Sequence, residues 1–137
     1  MSLYLMVSED GEELDGVTVG HYSDFSSFRN VVIDKLESGK AGSKFPTLIL
    51  HSDCDGMWSP AVCATLEREL AIIRDAFQKL PPIPLDRGWQ KNVAEEFGLE
   101  PKNLYESFID IDGESLIERL SQLAKLAQER GQPILFT

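Results

Sequence analysis

Positively charged residues are scarce in this chain. It has 13 lysines and arginines against 23 aspartates and glutamates, which gives its 137 residues a formal net charge of −10. Binding a nucleic-acid backbone or an anionic membrane requires clustered cationic side chains. The composition therefore argues against nucleic acid and membrane as partners and favours a basic partner.

Cysteine and long apolar segments are scarce too. Two cysteines, Cys54 and Cys63, are too few for the disulfide framework of a small secreted domain. No apolar run approaches the length needed to cross a bilayer. The N-terminal residues read as a short strand and not as a charged segment followed by a long apolar one, so we expect no signal peptide. We expect a reduced, cytoplasmic protein without a cofactor.

Hydrophobic patterning predicts a single domain over residues 1–137 with an α/β or α+β fold. We expect a mixed sheet of about five strands that begins with an N-terminal hairpin, with three to four helices packed on it and right-handed crossovers after the hairpin. The predicted strands lie at 3–7, 17–19, 47–50, 105–111 and 133–136. Helices are predicted after the capping candidates Ser23 and Asp24, from Ser59 and Pro60, over 89–97, and from residue 116 to Gly131.

The ten residues from His51 to Pro60 are the best candidate for a site. They follow the predicted strand 47–50 and precede a long amphipathic helix. A loop that leaves a strand and enters a helix brings side chains beside the free N–H groups of that helix. This loop contains a histidine, two carboxylates, a thiol and an indole.

A catalytic site in this loop is one alternative. Cys54 could act as a thiol nucleophile with His51 or His21 as its base. Asp53 and Asp55 flank the thiol, however, and would oppose its ionisation. An acid/base pair formed by these two carboxylates is a further alternative, although capping carboxylates in loops are more frequent than catalytic ones.

A metal-binding loop is the next alternative. His51, Asp53, Asp55 and Gly56 have the spacing of the first, third, fifth and sixth positions of an EF-hand loop. A neutral histidine opens this match, and Val62 occupies the twelfth position, where a bidentate glutamate is needed. We therefore expect no metal, and turns stabilised by Asp53 and Asp55 explain the pattern more simply.

Two other features each have two interpretations. Trp58 either plugs the edge of the core, which we favour, or stands exposed as an interface anchor. The acidic segment 9–16 is either a solvated hairpin turn, which we also favour, or a partner-binding patch. A purely structural interpretation, in which the loop 51–60 only caps the following helix, stays open beside both.

Several segments resemble a known family. They are Leu3 to Leu5, Gly16 to Gly20, Tyr22 to Phe25, Phe45 through the loop to Pro60, Leu80 to Pro82, Asn103 to Tyr105, Ala127 to Arg130 and Pro133 to Leu135. The chain resembles the bacterial immunity protein 70 family of polymorphic-toxin and contact-dependent competition systems. This resemblance covers nearly the whole chain, and the loop 51–60 is its most specific element.

The resemblance implies a non-enzymatic inhibitor that binds and neutralises a cognate toxin domain, and it supplies no catalytic residues. Many toxin domains of such systems attack nucleic acid and are basic, so an acidic partner gains long-range steering and can occupy the place of the phosphates. On this physical basis we select the partner-binding candidates Asp53, Asp55, Trp58, Glu12, Glu13 and Asp15.

Overall fold

Residues 2–137 are described by the computed structural model. The strands are β1 (Ser2–Glu9), β2 (Glu12–His21), β3 (Met57–Trp58) and β4 (Ile134–Phe136). The helices are α1 (Tyr22–Leu36), α2 (Pro46–Ile49), α3 (Pro60–Phe77), α4 (Gly88–Phe97) and α5 (Leu116–Arg130), with a single 3₁₀ turn at Tyr105–Ser107. The strands form one sheet in the order β2-β1-β4-β3, and all neighbouring strands are antiparallel.

The two faces of the sheet have different environments. Leu3, Leu5 and Val7 alternate along β1 and are fully buried against α1 and α5, while α3 packs on α5. The opposite side of the sheet, which we call the open face, carries Tyr4, Met6, Thr18, Met57 and Leu135. These side chains are half-buried or exposed, and none belongs to the hydrophobic core. The fold is therefore an α+β arrangement with one helical layer.

The predicted hairpin is confirmed. Glu9 pairs with Glu12 across a two-residue turn, in which Asp10 and Gly11 have φ angles of 53° and 81°. Two consecutive positive φ angles suit the right-handed twist of a hairpin, and an Asp-Gly pair adopts them readily. Because β2 begins at Glu12, most of the acidic segment 9–16 lies in the two strands, and only two of its residues form the turn.

Most predicted helices are confirmed at the positions where the capping signals are strong. The Ser59 hydroxyl accepts a hydrogen bond from the Val62 N–H at 3.2 Å, so α3 begins as expected. Helices α4 and α5 end at Gly98 and Gly131, which are left-handed with φ angles of 66° and 63°. The terminal strand β4 is confirmed as well.

The predicted caps of the first helix are wrong by two or three residues. Helix α1 begins at Tyr22, and His21 is its N-cap, not Ser23 or Asp24. The Asp24 carboxylate lies in the first turn and accepts a hydrogen bond from the His21 N–H at 2.7 Å. A carboxylate at this position accepts a hydrogen bond from a free N–H group and complements the helix dipole. Asp24 therefore stabilises the N-terminus of α1 from the first turn of the helix.

Two predicted strands are wrong. Residues 47–50 belong to the short helix α2 and its C-cap, and residues 105–111 form the 3₁₀ turn and one isolated bridge between Ile109 and Ser115. A run of four apolar residues fits a buried helix as well as a buried strand, and Pro46 at the first helical position favours the helix. Within residues 2–137, the sheet therefore has four strands instead of about five, and five helices accompany it. All its strand pairs are antiparallel, so the predicted mixed sheet with βαβ crossovers is wrong.

Side chains and a loop occupy both edges of the sheet. On β2, the carbonyl of Gly16 accepts a hydrogen bond from Arg119 at 3.0 Å, and that of Thr18 accepts one from the Ile111 N–H at 3.3 Å. On β3, the carbonyl of Met57 lies 2.9 Å from Nε2 of His51. Occupied edge groups block the addition of a further strand at these positions. Within the described range, no helix is both long and apolar enough to cross a membrane.

Replacing Arg119 tests the closure of the β2 edge. Its guanidinium is largely buried and binds Asp15 in a bidentate pair at 2.9 and 3.1 Å. We expect Arg119→Ala to lower the free energy of unfolding by about 2 kcal/mol, because Asp15 and the Gly16 carbonyl lose their partner. Urea denaturation measures this loss.

Lys125→Ala on the same helix is the matched control. Lys125 is exposed and lies 3.7 Å from Glu67, so its removal should cost less than about 0.5 kcal/mol. Equal losses for the two variants would show that Arg119 does not hold the edge.

Candidate functional site

The candidate loop lies at the end of the sheet where β3 begins. The Gly56 carbonyl accepts a hydrogen bond from the Phe136 N–H at 3.0 Å, which attaches the loop to β4. The His51 ring stacks on Phe136 with centroids 4.3 Å apart. Its Nδ1 lies 2.8 Å from the Ser52 carbonyl oxygen, and its Nε2 contacts the Met57 carbonyl oxygen. The His51 ring therefore contacts the backbone near both ends of the loop, at Ser52 and at Met57.

Glu37 organises the segment that leads to the loop. Its buried carboxylate accepts hydrogen bonds from the N–H groups of Gly42, Lys44 and Phe45 at 2.9 to 3.0 Å. Burial opposes ionisation of Glu37, but these three donors and the charge of Lys44 together hold its pKa below its ordinary value. A single carboxylate thus fixes the backbone of residues 42–45.

Glu69 holds the N-terminus of α2. This buried carboxylate projects from α3 and accepts hydrogen bonds from the N–H groups of Thr47 and Leu48 at 3.2 and 3.0 Å. These groups have no partner within the helix, and a negative charge there complements the helix dipole. The long-range contact explains why the apolar run 47–50 is helical.

Arg29 holds the other end of α2. Its buried guanidinium donates to the carbonyl groups of Ile49 and His51 and lies 5.0 Å from the centroid of the Phe25 ring. Burial lowers the pKa of Arg29, and the negative charge of Asp53 raises it. Arginine remains protonated in such surroundings. Asp53 therefore lies in the electrostatic field of a buried cation at the base of the loop.

Trp58 is a core residue. Its side chain is 2% exposed, its Nε1 donates to the Thr47 carbonyl at 3.1 Å, and its ring meets Phe136 edge-on with centroids 4.7 Å apart. The plug interpretation is confirmed. With so little exposed surface, the indole secures the loop to the core and offers little area for direct contact with a partner.

Among residues 2–137, no histidine forms a hydrogen bond with the Cys54 thiol. Both ring nitrogens of His51 contact backbone carbonyl oxygens, and His21 lies at the end of β2, the opposite edge strand of the sheet. The exposed Cys54 thiol instead lies 3.7 Å from the Ser52 hydroxyl. Cys63 is fully buried, and burial raises its pKa to about 11, so it remains a neutral thiol near pH 7.

The metal alternative gains no support from the geometry. Between residues 2 and 137, no three histidine, cysteine, aspartate or glutamate side chains converge on a point that could hold a metal ion. The negative charge of Asp53 interacts with the positive charge of Arg29, and Asp55 is exposed to solvent. A calcium or zinc site requires more protein ligands than these two carboxylates supply.

The three acidic candidates of the hairpin, Glu12, Glu13 and Asp15, are not equally available for contact with a partner. Arg119 binds Asp15 directly, and the hydrogen bonds in this pair hold the pKa of Asp15 below its ordinary value. Asp15 is therefore already paired within the protein. Glu12 and Glu13 are exposed, and their carboxylates are available to a partner.

The structure does not bring the two acidic groups together. Asp53 and Asp55 precede β3, whereas Glu12 and Glu13 begin β2, so the groups lie at opposite edges and opposite ends of the sheet. Strand spacing places the two edge strands β2 and β3 about 14 Å apart across the sheet. A partner that contacts both groups must span the sheet diagonally.

Sequence reasoning missed three residues that position the loop: Arg29, Glu37 and Glu69. One signal was available for Glu69, which lies three residues after Leu66 and four before Ile73, within the apolar stripe of α3. A charged residue within an apolar stripe indicates a buried ion with a specific partner. No comparable signal identifies the backbone groups that it contacts.

Comparison with protein families decides the general function. The family model described as immunity protein 70 matches residues 6–136, nearly the whole chain. The chain belongs to this family. The searches of curated proteins and of solved structures gave no match. Immunity proteins neutralise toxins by binding them and are generally non-enzymatic.

Replacing Glu37 tests the buried framework. We expect Glu37→Gln to lower the free energy of unfolding at pH 7 by about 2 kcal/mol, because an amide cannot match three backbone donors as a carboxylate does. The pKa of Glu37 is lowered in the folded state, so its contribution is complete above the ordinary value of about 4.5 and is lost as the pH falls through the lowered value. Urea denaturation from pH 7 to pH 3 should show the two proteins converging.

The exposed Glu129→Gln on α5 is the control for this substitution and should leave stability unchanged at every pH. A difference between wild type and Glu37→Gln that stays constant down to pH 3 would contradict the role of the ionised carboxylate.

Thiol labelling tests the environments of the two cysteines. We expect a disulfide reagent to modify one thiol per native molecule, at Cys54, and the second, at Cys63, only after unfolding, because Cys63 is buried. The rate at Cys54 should match that of a thiol in an unstructured peptide. A rate many times faster near neutral pH would instead support the thiol-site alternative.

Proposed function

We propose that this chain neutralises a basic toxin domain, such as a nuclease, by placing carboxylates where the toxin would bind the phosphates of its substrate. The net charge of −10 combined with membership of the immunity protein 70 family carries this proposal. A nuclease surface must attract polyanions, so an acidic inhibitor is attracted to the same surface. The inhibitor acts in the cytoplasm, where such a toxin meets its substrate.

Four carboxylates are the proposed direct contacts. Glu12, Glu13 and Asp55 are exposed and Asp53 is partly exposed. Within residues 2–137, none of the four forms an ion pair with a lysine or arginine. Unpaired surface carboxylates keep their charge available for steering and for new pairs with a basic protein. Of the other two candidates, Asp15 supports the fold through Arg119 and Trp58 supports the loop through the core.

Charge reversal tests the proposed contacts. The proposal expects a large secreted toxin to be encoded next to this gene, and its toxin domain is the binding probe. Asp53→Lys with Asp55→Lys, and separately Glu12→Lys with Glu13→Lys, should each raise Kd at least about tenfold in low salt, mainly through slower association. Surface plasmon resonance measures both rate constants, and the effect should shrink as salt screens the charges.

The matched control changes the net charge equally at another place. Glu95→Lys with Glu96→Lys alters two exposed residues of α4 and should change Kd much less. An equal loss in this control would show that only the overall charge matters. Failure of the wild-type protein to bind or neutralise the neighbouring toxin domain would overturn the proposed function.

A further inference from the structure

The open face is the side of the sheet that remains available. Helices α1 and α5 cover the other face, Arg119 and the loop at Ile111 occupy the β2 edge, and His51 occupies the β3 edge. A partner therefore gains little by adding a strand at either edge. Contact through side chains on the open face requires no rearrangement of these elements.

Three apolar side chains form a continuous row across the open face. Met6 on β1 pairs with Leu135 on β4, and Leu135 pairs with Met57 on β3. Cross-strand partners project on the same side of a sheet, so the three side chains are neighbours. The Met57 side chain is 54% exposed, and none of the three belongs to the hydrophobic core. Contiguous exposed apolar surface of this kind is typical of an interaction site.

Tyr4 extends this row towards β2. Its ring lies over Gly16, where any side chain would collide with the ring. Burial raises the pKa of the Tyr4 hydroxyl, and the negative charge of Glu13 adds to the shift. Glu13 pairs with Ser8, which lies on the same side of β1 as Tyr4 and Met6, so the Glu13 carboxylate lies at the border of the open face.

An acidic residue borders the apolar row at its β2 end. Glu13 lies there, whereas Asp53 interacts with Arg29 of α1, which packs on the other face of the sheet. An apolar centre with a polar, charged rim is the usual anatomy of a protein interface. Of the two acidic groups, Glu13 is the one that borders the open face.

We propose that the open face is the docking surface for the toxin domain, with the row Met6, Leu135 and Met57 at its centre. The inference rests on the proposed function and adds the chemistry of the partner: an apolar patch with cationic side chains beside it. Charge complementarity favours this occupant. A second copy of this chain would oppose one net charge of −10 with another, which disfavours association.

Truncation of the apolar row without a change of charge tests the inference. Met57→Ser combined with Leu135→Ser should raise Kd for the neighbouring toxin domain at least about tenfold, since central apolar contacts dominate binding energy. The loss should be the same in low and high salt, because no charge is altered. The melting temperature shows that the variant is folded.

Ile72→Ser is the matched control. Ile72 is 59% exposed on α3, in the helical layer on the other side of the sheet, and its truncation should change Kd less than twofold. Size-exclusion chromatography of the free protein accompanies these measurements and should give a monomer for the wild type and the double variant.

The possible outcomes separate this inference from the proposed function. Wild-type binding that survives truncation of the apolar row would overturn the inference alone, as would an equal loss for Ile72→Ser. A wild-type dimer that the double substitution dissociates, with toxin affinity unchanged, would assign the face to a second copy and overturn it as well. Absence of wild-type binding would overturn both proposals.

Discussion

The burial of three charged side chains is the constraint on which the candidate site depends. Glu37, Glu69 and Arg29 together satisfy backbone groups from residue 42 to residue 51, a stretch with only one short helix of its own. A buried ion costs several kcal/mol unless it is fully hydrogen-bonded, and each of these ions has at least two backbone partners. Loss of any one would leave buried backbone groups without a partner. The positions of the loop, of β3 and of Met57 all follow from this framework.

Charges in this protein fall into two groups with different roles. Those with internal partners, such as Asp15 with Arg119, close an edge or cap a helix and support the fold. Those without partners, such as Asp55 and Glu12, lie on the surface and supply the field that a basic toxin would meet. Cys54 is exposed, Cys63 is buried, and both ring nitrogens of His51 contact backbone carbonyl oxygens. The protein can thus present a strongly acidic surface while other charged side chains, paired within the protein, stabilise its fold.

Local signals in the sequence were sufficient for much of the fold and insufficient for the site. A Ser-Pro cap and two terminal glycines mark the later helices, which lie where they were predicted. The hairpin was predicted as well, but its turn has two residues and not the eight of the acidic segment 9–16. The segment 47–50 was mistaken for a strand because its conformation depends on Glu69, some twenty residues further along the chain. Likewise, the role of Asp15 depends on Arg119, 104 residues away. Composition suggested a basic partner, whereas the docking surface that we propose is defined only by the pairing of β1, β4 and β3.

Methionine methyl resonances provide the most direct view of that surface. Met6 and Met57 lie on either side of Leu135 on the open face, so selective methyl labelling places a probe at each end of the apolar row. In a titration with the toxin domain, both resonances should shift or broaden, while labelled isoleucine methyl groups on the helical layer, such as that of Ile72, should not. Binding that perturbs Ile72 and leaves both methionine signals in place would contradict docking on the open face.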